Sequence, residues 1–308
     1  MDIFYSDKYS VDIGYHLFPM EKYRLAREVL TIKGEFGAEH FEEPDPIGEE
    51  DMVRFHTPEY VEKIKNGTLT DEEIDILEMP YSSDFYQCMR YHAGGTLEAA
   101  RTALRDGVSC NLGGGFHHAY PDHGEGLCLI NDIGIAAKTL LDEGAVEKIL
   151  IIDLDVHQGN GNAYFFKDDP RVIVFSMHGE SIYPLPKEKG GMNIDLPDGI
   201  NCTDYMDTLR SYYYTLFDDF YPQLVFYVAG ADVYANDLVG KLGLSIEGIM
   251  HRDESVFWEA ASRCIPIVSI AAGGYARMVE DIVTIHCNTI RAADTASVTF
   301  RRRACSMK

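Results

Sequence analysis

The amino-acid sequence predicts a single α/β domain built on a parallel β-sheet with helices on both faces. Short, continuous apolar runs recur along the chain, and the clearest, residues 149–152, reads Ile-Leu-Ile-Ile. Such runs are typical of strands that are buried on both faces. Segments with helical spacing separate the runs, and strands that alternate with helices favour a parallel sheet. Neither an internal repeat nor a long linker divides the 308 residues, which favours one domain.

The first half of the chain is predicted to contain two short strands and three helices. Residues 35–78 are rich in Asp and Glu and carry several Pro and Gly residues, so we expect loops with short helices there. Apolar residues recur every three or four positions in other segments, which predicts amphipathic helices. We expect strands at residues 3–5 and 108–112, and helices at 21–30, 81–105 and 131–143.

The second half repeats the alternation of strands and helices. We expect strands at 149–152, 172–177, 224–229 and 265–270, and helices at 203–219, 245–263 and 278–291. Residues 292–308 include three consecutive arginines and a final lysine. We predict that they form a polar, flexible C-terminal tail after a domain that spans residues 1–291.

Composition and charge limit the classes of partner. Acidic residues outnumber basic ones by 50 to 27, which gives a formal net charge of −23. Such a charge repels nucleic acid and anionic membrane surfaces, and it suits a cationic ligand. We find neither a membrane-spanning apolar run nor a signal peptide, and seven scattered cysteines indicate reduced thiols. We therefore expect a cytoplasmic protein that binds neither nucleic acid nor membrane.

Polar side chains directly follow the apolar run at residues 149–152. Asp153, Asp155 and His157 are spaced two apart, so an extended chain would project all three to one side. Open α/β sheets hold their ligands at the carboxyl ends of the strands. Two carboxylates beside an imidazole are costly to bury without a cation or strong hydrogen bonds, which favours a divalent metal. The alternative is a strand end that emerges into solvent with incidental charges.

Three more predicted strands lead into groups that suit the same site. The strand at 108–112 precedes three glycines and then His117 and His118. Asp232 follows the strand at 224–229, and Gly274 and Tyr275 follow the strand at 265–270. Each group alone fits an ordinary loop, but parallel strands place all of them at one edge of the sheet.

The candidate metal ligands at this edge are Asp155, His157 and Asp232. Three protein ligands leave a fourth position open for water. A site with two carboxylates and one imidazole favours Zn²⁺, with Fe²⁺ as its competitor.

The motifs, in this order and spacing, resemble the metal-dependent histone deacetylase family. The resemblance extends from Tyr15 to Tyr275, and its closest branches are class IV and bacterial histone-deacetylase-like amidohydrolases. It implies a single domain with an eight-stranded parallel sheet, the arginase/deacetylase fold. The motifs that carry it are Asp153-x-Asp155-x-His157-x-Gly-Asn160-Gly, Gly-Gly-Phe-His117-His118, Gly126-x-Cys128-x-x-Asn131-Asp132, Gly-Ala-Asp232 and Gly-Gly-Tyr275.

The resemblance implies that Asp155, His157 and Asp232 hold a catalytic zinc ion. It also implies a structural potassium ion beneath that metal, held by main-chain and side-chain oxygens around Asp153, Asp155, His157 and Ser176. The zinc and the potassium are the two cofactors that we expect, with Fe²⁺ as the alternative to zinc.

The catalytic roles also follow from the resemblance. Water held at the metal would attack an amide carbonyl that the metal and Tyr275 polarise. His118 would act as general base and then as proton donor to the leaving amine. His117 would assist electrostatically, and Asp153 would orient the His117 ring.

Asn160 departs from some branches of the family, which carry a second aspartate behind the second histidine. An amide can accept the imidazole N–H but adds no negative charge. We therefore expect His118 to be less basic than it would be beside a carboxylate, which suits a base that starts neutral.

The implied substrate-binding residues are Gly126, Leu127, Tyr183 and Gly274. Many members of the family have Phe at the position of Leu127, where it forms one wall of the acyl-lysine channel. Tyr183 matches the aromatic residue of the opposite wall. Leucine lacks the flat face of phenylalanine and would widen the channel, so chains longer than acetyl are candidate substrates.

We therefore expect a metal-dependent hydrolase that removes acetyl or longer acyl groups from lysine side chains of proteins or peptides. An acylated polyamine is the alternative substrate, because the negative charge suits either cation. A third hypothesis is an inactive module that binds acyl-lysine or acyl chains, but such a module would have lost a metal ligand or the tyrosine. All three proposed metal ligands and Tyr275 are present here.

Overall fold

The apolar runs form the centre of one parallel sheet. The computed structural model describes residues 1–306, and these contain eight strands whose pairings are all parallel. Their order across the sheet is β2-β1-β3-β8-β7-β4-β5-β6, where the strands are β1 (Ile3–Phe4), β2 (Phe41–Glu42), β3 (Val108–Asn111), β4 (Ile149–Asp153), β5 (Val172–Gly179), β6 (Met192–Leu196), β7 (Leu224–Val228) and β8 (Ile267–Ile270). The predicted parallel α/β sheet is confirmed.

Helices connect the strands. Among residues 1–306 no helix is both long and apolar enough to cross a membrane. A short π-helical segment, Tyr214–Asp219, prolongs α8, so the predicted helix at 203–219 is α-helical only in its first part. The helices are α1 (Lys22–Ile32), α2 (Glu49–Met52), α3 (Pro58–Asn66), α4 (Asp71–Leu77), α5 (Ser83–Asp106), α6 (Asp132–Asp142), α7 (Asn160–Phe166), α8 (Cys202–Tyr213), α9 (Ile246–Ser262) and α10 (Val279–Ser306).

Strand β4 lies in the interior of the sheet, between β5 and β7. All of its residues are buried, including the terminal Asp153. Asp153 pairs in register with Ser176 of β5 and with Val228 of β7. The central position of β4 brings the polar residues that follow it into the buried middle of the carboxyl edge.

The edge strands β2 and β6 are not predicted from the sequence. β2 has only two residues, and β6 is half-exposed along most of its length, with the exposed Asp195 near its end. Strands at the edge of a sheet pack on one side only, so their sequences lack a continuous apolar run.

The predicted flexible tail is wrong for residues 292–306, because α10 continues through them to Ser306. Ala293, Ala296 and Ser297 are buried. The Phe300 ring lies against Gly107, where an added Cβ would be 2.2 Å from its Cδ1 atom. The packing of this helix face outweighs the polarity of the terminal arginines, and the proposed domain boundary at residue 291 falls inside the helix. Residues 307–308 lie outside the described residues.

Candidate active site

Four strands that are adjacent in the sheet, β3, β8, β7 and β4, deliver the candidate site residues. The loop after β3 carries the two histidines, and the loop after β8 carries Tyr275. Asp232 follows β7, and both Asp155 and His157 follow β4. The loops converge because parallel neighbouring strands end at the same edge.

The three predicted metal ligands form one buried group. Suitable ligand atoms of Asp155, His157 and Asp232 all lie within 4.8 Å of one another. Nδ1 of His157 is 3.0 Å from Oδ1 of Asp155 and 3.5 Å from Oδ2 of Asp232. That Asp232 Oδ2 atom is buried and has no hydrogen-bond partner among residues 1–306. A buried carboxylate oxygen of this kind needs a cation, so the group fits a divalent metal.

Backbone amides orient the two carboxylates. The N–H of Val156 donates to Oδ1 of Asp232 at 2.8 Å, and the N–H of Gly273 donates to Oδ2 of Asp155 at 3.0 Å. Such outer hydrogen bonds fix ligand orientation at metal sites. Gly273 also approaches closely, since an added Cβ would lie 2.0 Å from Oδ2 of Asp232.

The prediction that one extended strand carries Asp153, Asp155 and His157 is wrong. β4 ends at Asp153, and the following residues form bends. The Asp153 carboxylate is directed to His117, whose Nδ1 lies 2.6 Å from Oδ2 of Asp153. Asp155 and His157 meet through the bend, in which the His157 N–H donates to Oδ1 of Asp155 at 3.0 Å.

Electrostatic interactions within the ligand group shift the pKa values of its members strongly. Burial lowers the pKa of His157, but Asp155 and Asp232 outweigh burial and raise that pKa to about 10. Burial and the neighbouring Asp155 raise the pKa of Asp232 to about 7. The metal-free group therefore holds a proton near neutral pH, which a cation would displace on binding.

The two adjacent histidines have different partners and opposite shifts. Burial lowers the pKa of His117, but Asp153 and Asp155 raise it to about 9, so this ring is cationic at neutral pH. His118 Nδ1 lies 2.6 Å from Oδ1 of Asn160. Burial, together with His117 and His157, holds the pKa of His118 well below its usual value. The site thus pairs a charged imidazole with a neutral one.

Oδ1 of Asn160 can only accept, so the neutral His118 carries its proton on Nδ1. Its other nitrogen, Nε2, keeps a lone pair and lies 3.2 Å from Nε2 of His117.

The Tyr275 ring lies beside the ligand group, 6.3 Å from the His157 ring between centroids. The Tyr275 N–H donates to Oδ2 of Asp237 at 2.7 Å, which anchors the backbone of this turn. Burial and the nearby carboxylates hold the pKa of the phenol well above its usual value, so its hydroxyl remains a donor.

Gly274 lies in the turn directly before Tyr275. It is not among the described residues that line the cavity above the site. Its φ is +149°, and an added Cβ would lie 2.9 Å from Ile282. Gly274 therefore shapes the turn that presents Tyr275, and its contact with substrate stays a prediction.

A cavity of about 250 Å³ leads from the ligand group to the surface. His118, His157 and Tyr275 form its base, and its walls include Gly126, Leu127 and Tyr183, whose contact with substrate stays a prediction. Leu127 has a φ of +70°, and its N–H donates to the Leu77 carbonyl at 2.9 Å. Leu17 and Val239 also line the cavity, but no local pattern predicts them because both lie in loops, outside any helical or strand periodicity.

Comparison with known proteins identifies the family. The family model for the histone deacetylase domain matches residues 16–290 of the chain. The chain belongs to the histone deacetylase family. Its named members among the relatives are deacetylases, which are hydrolases, and the predicted resemblance to this family is confirmed, whereas the class IV branch stays a prediction.

Relatives within the histone deacetylase family come from bacteria, plants and animals. An uncharacterized protein of Picosynechococcus sp. is 37% identical over 278 residues, covering 90% of this chain and 93% of the relative. Histone deacetylase 2 of Arabidopsis thaliana is 29% identical over 300 residues, covering 92% of this chain and 78% of the relative. Polyamine deacetylase HDAC10 of Mus musculus is 30% identical over 252 residues, covering 74% of this chain and 37% of the relative.

A solved structure supports the fold assignment. The crystal structure of the HDA15 HD domain matches with a TM-score of 0.78 at 20% identity, over 97% of this chain and 94% of that domain. The arginase/deacetylase fold implied by the sequence motifs is therefore confirmed.

Proposed function

We propose that this protein is a zinc-dependent amidohydrolase that removes acetyl or longer acyl groups from lysine side chains. One observation carries the proposal: the unpartnered Oδ2 of Asp232 belongs to a buried ligand group at the base of an open channel. Two carboxylates and one imidazole suit Zn²⁺, with Fe²⁺ as its competitor. A divalent cation held there would acidify a bound water molecule and polarise an amide carbonyl oxygen.

The histidines supply the proton transfers in this proposal. His118 is neutral, and the lone pair on its Nε2 would accept a proton from water, which the ring would then return to the leaving amine. Asn160 holds the opposite nitrogen of that ring. His117, kept cationic by Asp153, places a positive charge beside the developing oxyanion.

Tyr275 completes the proposed site from the other side. Its protonated phenol would donate a hydrogen bond to the carbonyl oxygen of the scissile amide. Such a donor strengthens as charge develops on that oxygen, and its loss commonly lowers the rate by about 10²–10³-fold.

The channel walls suit an acyl-lysine side chain. Tyr183 and Leu127 would flank its aliphatic stem, and Glu78 lies at the rim where a cation or a peptide backbone would pass. The formal charge of −23 favours cationic partners and disfavours nucleic acid. We extend the proposal to acylated proteins or peptides in the cytoplasm as the substrates. The potassium ion near Ser176 stays a prediction.

The test is hydrolysis of one lysine peptide that carries acetyl, octanoyl or myristoyl, with acetylspermidine in parallel and Zn²⁺ supplied. We expect peptide turnover that Tyr275→Phe abolishes almost completely. Tyr214→Phe is the matched control, because Tyr214 is 67% exposed and distant in sequence from every site residue.

The compound that is cleaved decides between the lysine, polyamine and binding-module hypotheses. Cleavage of acetylspermidine alone would replace lysine with a polyamine as the substrate. A protein that binds one zinc ion and cleaves none of the four compounds would contradict the proposal and favour an acyl-binding module.

A further inference from the structure

The amide of Asn160 is held on both sides. Its Oδ1 faces Nδ1 of His118 at 2.6 Å, and its Nδ2 donates to Oε1 of Glu125 at 2.9 Å. An amide can rotate by 180° and exchange its oxygen with its nitrogen, but a carboxylate can only accept hydrogen bonds. In the exchanged orientation, the amide oxygen would face the Glu125 carboxylate and the amide nitrogen would face the donor nitrogen of His118. The carboxylate therefore selects the orientation that keeps the His118 proton on Nδ1.

The same carboxylate oxygen also holds the channel wall. Oε1 of Glu125 accepts a hydrogen bond from the Tyr183 hydroxyl. The Tyr183 ring meets the His118 ring edge to face, with centroids 5.0 Å apart. Glu125 is thus joined to the proposed base through an amide and to the channel through a phenol.

The other contacts of Glu125 keep it in place. Its Oε2 lies 3.2 Å from Nε2 of His123. Its N–H and C=O pair with the C=O and N–H of Cys128 and close the turn that carries Leu127. Burial raises the pKa of Glu125, but hydrogen bonds from His123, Tyr183 and Asn160 outweigh burial and lower it. The carboxylate is ionised and has donors on both oxygens.

We propose that Glu125 is a positioning residue that acts on His118 through Asn160 and on the acyl-lysine channel through Tyr183. Glu125 itself lies outside the described lining of the channel. The inference rests on the proposed hydrolase function. Glu125 supplies a carboxylate behind the neutral amide of Asn160, whereas some branches of the family are expected to have a carboxylate directly behind the second histidine.

The two connections predict separate kinetic effects. Loss of the hydrogen bond between Glu125 and Asn160 misorients the proposed base and lowers kcat. Loss of the hydrogen bond between Glu125 and Tyr183 loosens the channel and raises KM. We expect Glu125→Ala to lower kcat about 10–100-fold, by analogy with the loss seen when outer-shell partners of metal ligands are removed. Glu125→Gln keeps an acceptor oxygen and should recover part of that loss. Glu180→Ala is the matched control, because the Glu180 side chain is exposed and forms no hydrogen bond or ion pair among residues 1–306, while its backbone N–H, which donates to the Leu196 carbonyl, is kept.

Double-mutant cycles identify the route. In an Asn160→Ala background, Glu125→Ala should cause no further loss in kcat. In a Tyr183→Phe background, Glu125→Ala should cause no further rise in KM. Full additivity in the Asn160 background, or an unchanged kcat in the single variant, would overturn the proposal.

Histidine ¹⁵N spectra test the same inference without turnover. The wild-type protein should show the His118 signal as the Nδ1–H tautomer, assigned by its loss in His118→Gln. In Glu125→Ala, His118 should populate both neutral tautomers, and its signal should shift toward that of the Nε2–H form. An unmixed signal would overturn the role of Glu125 even if the protein proved inactive, whereas an inactive wild type with the expected spectra would contradict only the proposed function.

Discussion

Gly273→Ala should weaken Zn²⁺ binding at the proposed metal site and leave the rest of the fold intact. The φ of Gly273 lies outside the left-handed region, so an alanine causes no backbone strain there. Its Cβ, however, would lie 2.0 Å from Oδ2 of Asp232 and 2.5 Å from Oδ2 of Asp155. Ordinary carbon–oxygen contacts are about 3.3 Å or longer, so the Asp232 oxygen must move by more than about 1 Å.

A displacement of that size is incompatible with metal coordination. Zinc–oxygen distances are about 2.0–2.2 Å, and a ligand oxygen has a tolerance of about 0.2 Å. Removal of an outer-shell partner alone weakens metal binding by about 10–100-fold, and here a proposed direct ligand is displaced. We therefore expect the Zn²⁺ affinity to fall at least about 100-fold, which corresponds to about 2.7 kcal/mol.

The assay is competition for Zn²⁺ against a chromophoric chelator, with circular dichroism as the check on folding. Gly48→Ala is the matched control, because the φ of Gly48, −75°, also lies outside the left-handed region and an added Cβ meets only Glu50 Cγ at 3.5 Å and Glu50 Oε1 at 3.9 Å. Gly48→Ala should bind zinc as the wild type does. A folded Gly273→Ala protein with wild-type zinc affinity would refute the assignment of Asp232 as a ligand.

Three further predictions concern stability. Chelation should lower the Tm, and Zn²⁺ at about 100 times its Kd should restore about 2.7 kcal/mol, whereas Mg²⁺ at the same concentration should restore little. Burial lowers the pKa of Lys22 to about 8 from its usual 10.5, and Lys22 donates to the Ala272 carbonyl at 2.7 Å. Between pH 8 and 10.5 the unfolded chain therefore binds more protons than the folded protein. Lys22 thus makes the free energy of unfolding rise by about 3 kcal/mol across that range. Urea unfolding of the metal-free protein should show that rise in the wild type and lose it in Lys22→Met; equal slopes would contradict the buried charge. Deletion of residues after Arg291 should lower the Tm by several degrees, since it removes the Phe300 contact and the buried alanines of α10, and an unchanged Tm would restore the flexible tail.

The sequence alone determined the strands of the sheet interior and the chemistry at their ends. The run at 149–152 is apolar at every position, and a strand with that composition is stable only when both faces are covered. Parallel strands end at one edge, so Asp155, His157, Asp232 and Tyr275 could be assigned to one site before their distances were known. These inferences depend on local patterns and on one general rule of topology.

Tertiary structure decided the features that depend on contacts distant in sequence. The end of β4 at Asp153, and the turn of that carboxylate toward His117, depend on where the loop after β3 lies. The edge strands and the continuation of α10 depend on which neighbour covers each face. Residues 293, 296 and 300 do recur at helical spacing, so part of that signal was present in the sequence and was outweighed by the arginines.

The role of Glu125 could not be inferred from the sequence at all. An acidic residue in a glycine-containing loop is ordinarily solvated, and nothing local connects it to Asn160 or to Tyr183, which lie 35 and 58 positions away. The fold brings the three together because the loop after β3, the start of α7 after β4 and the segment after β5 meet at the same sheet edge. Periodicity records which face of an element is buried, whereas the partner of a polar atom is set by the three-dimensional path of the chain.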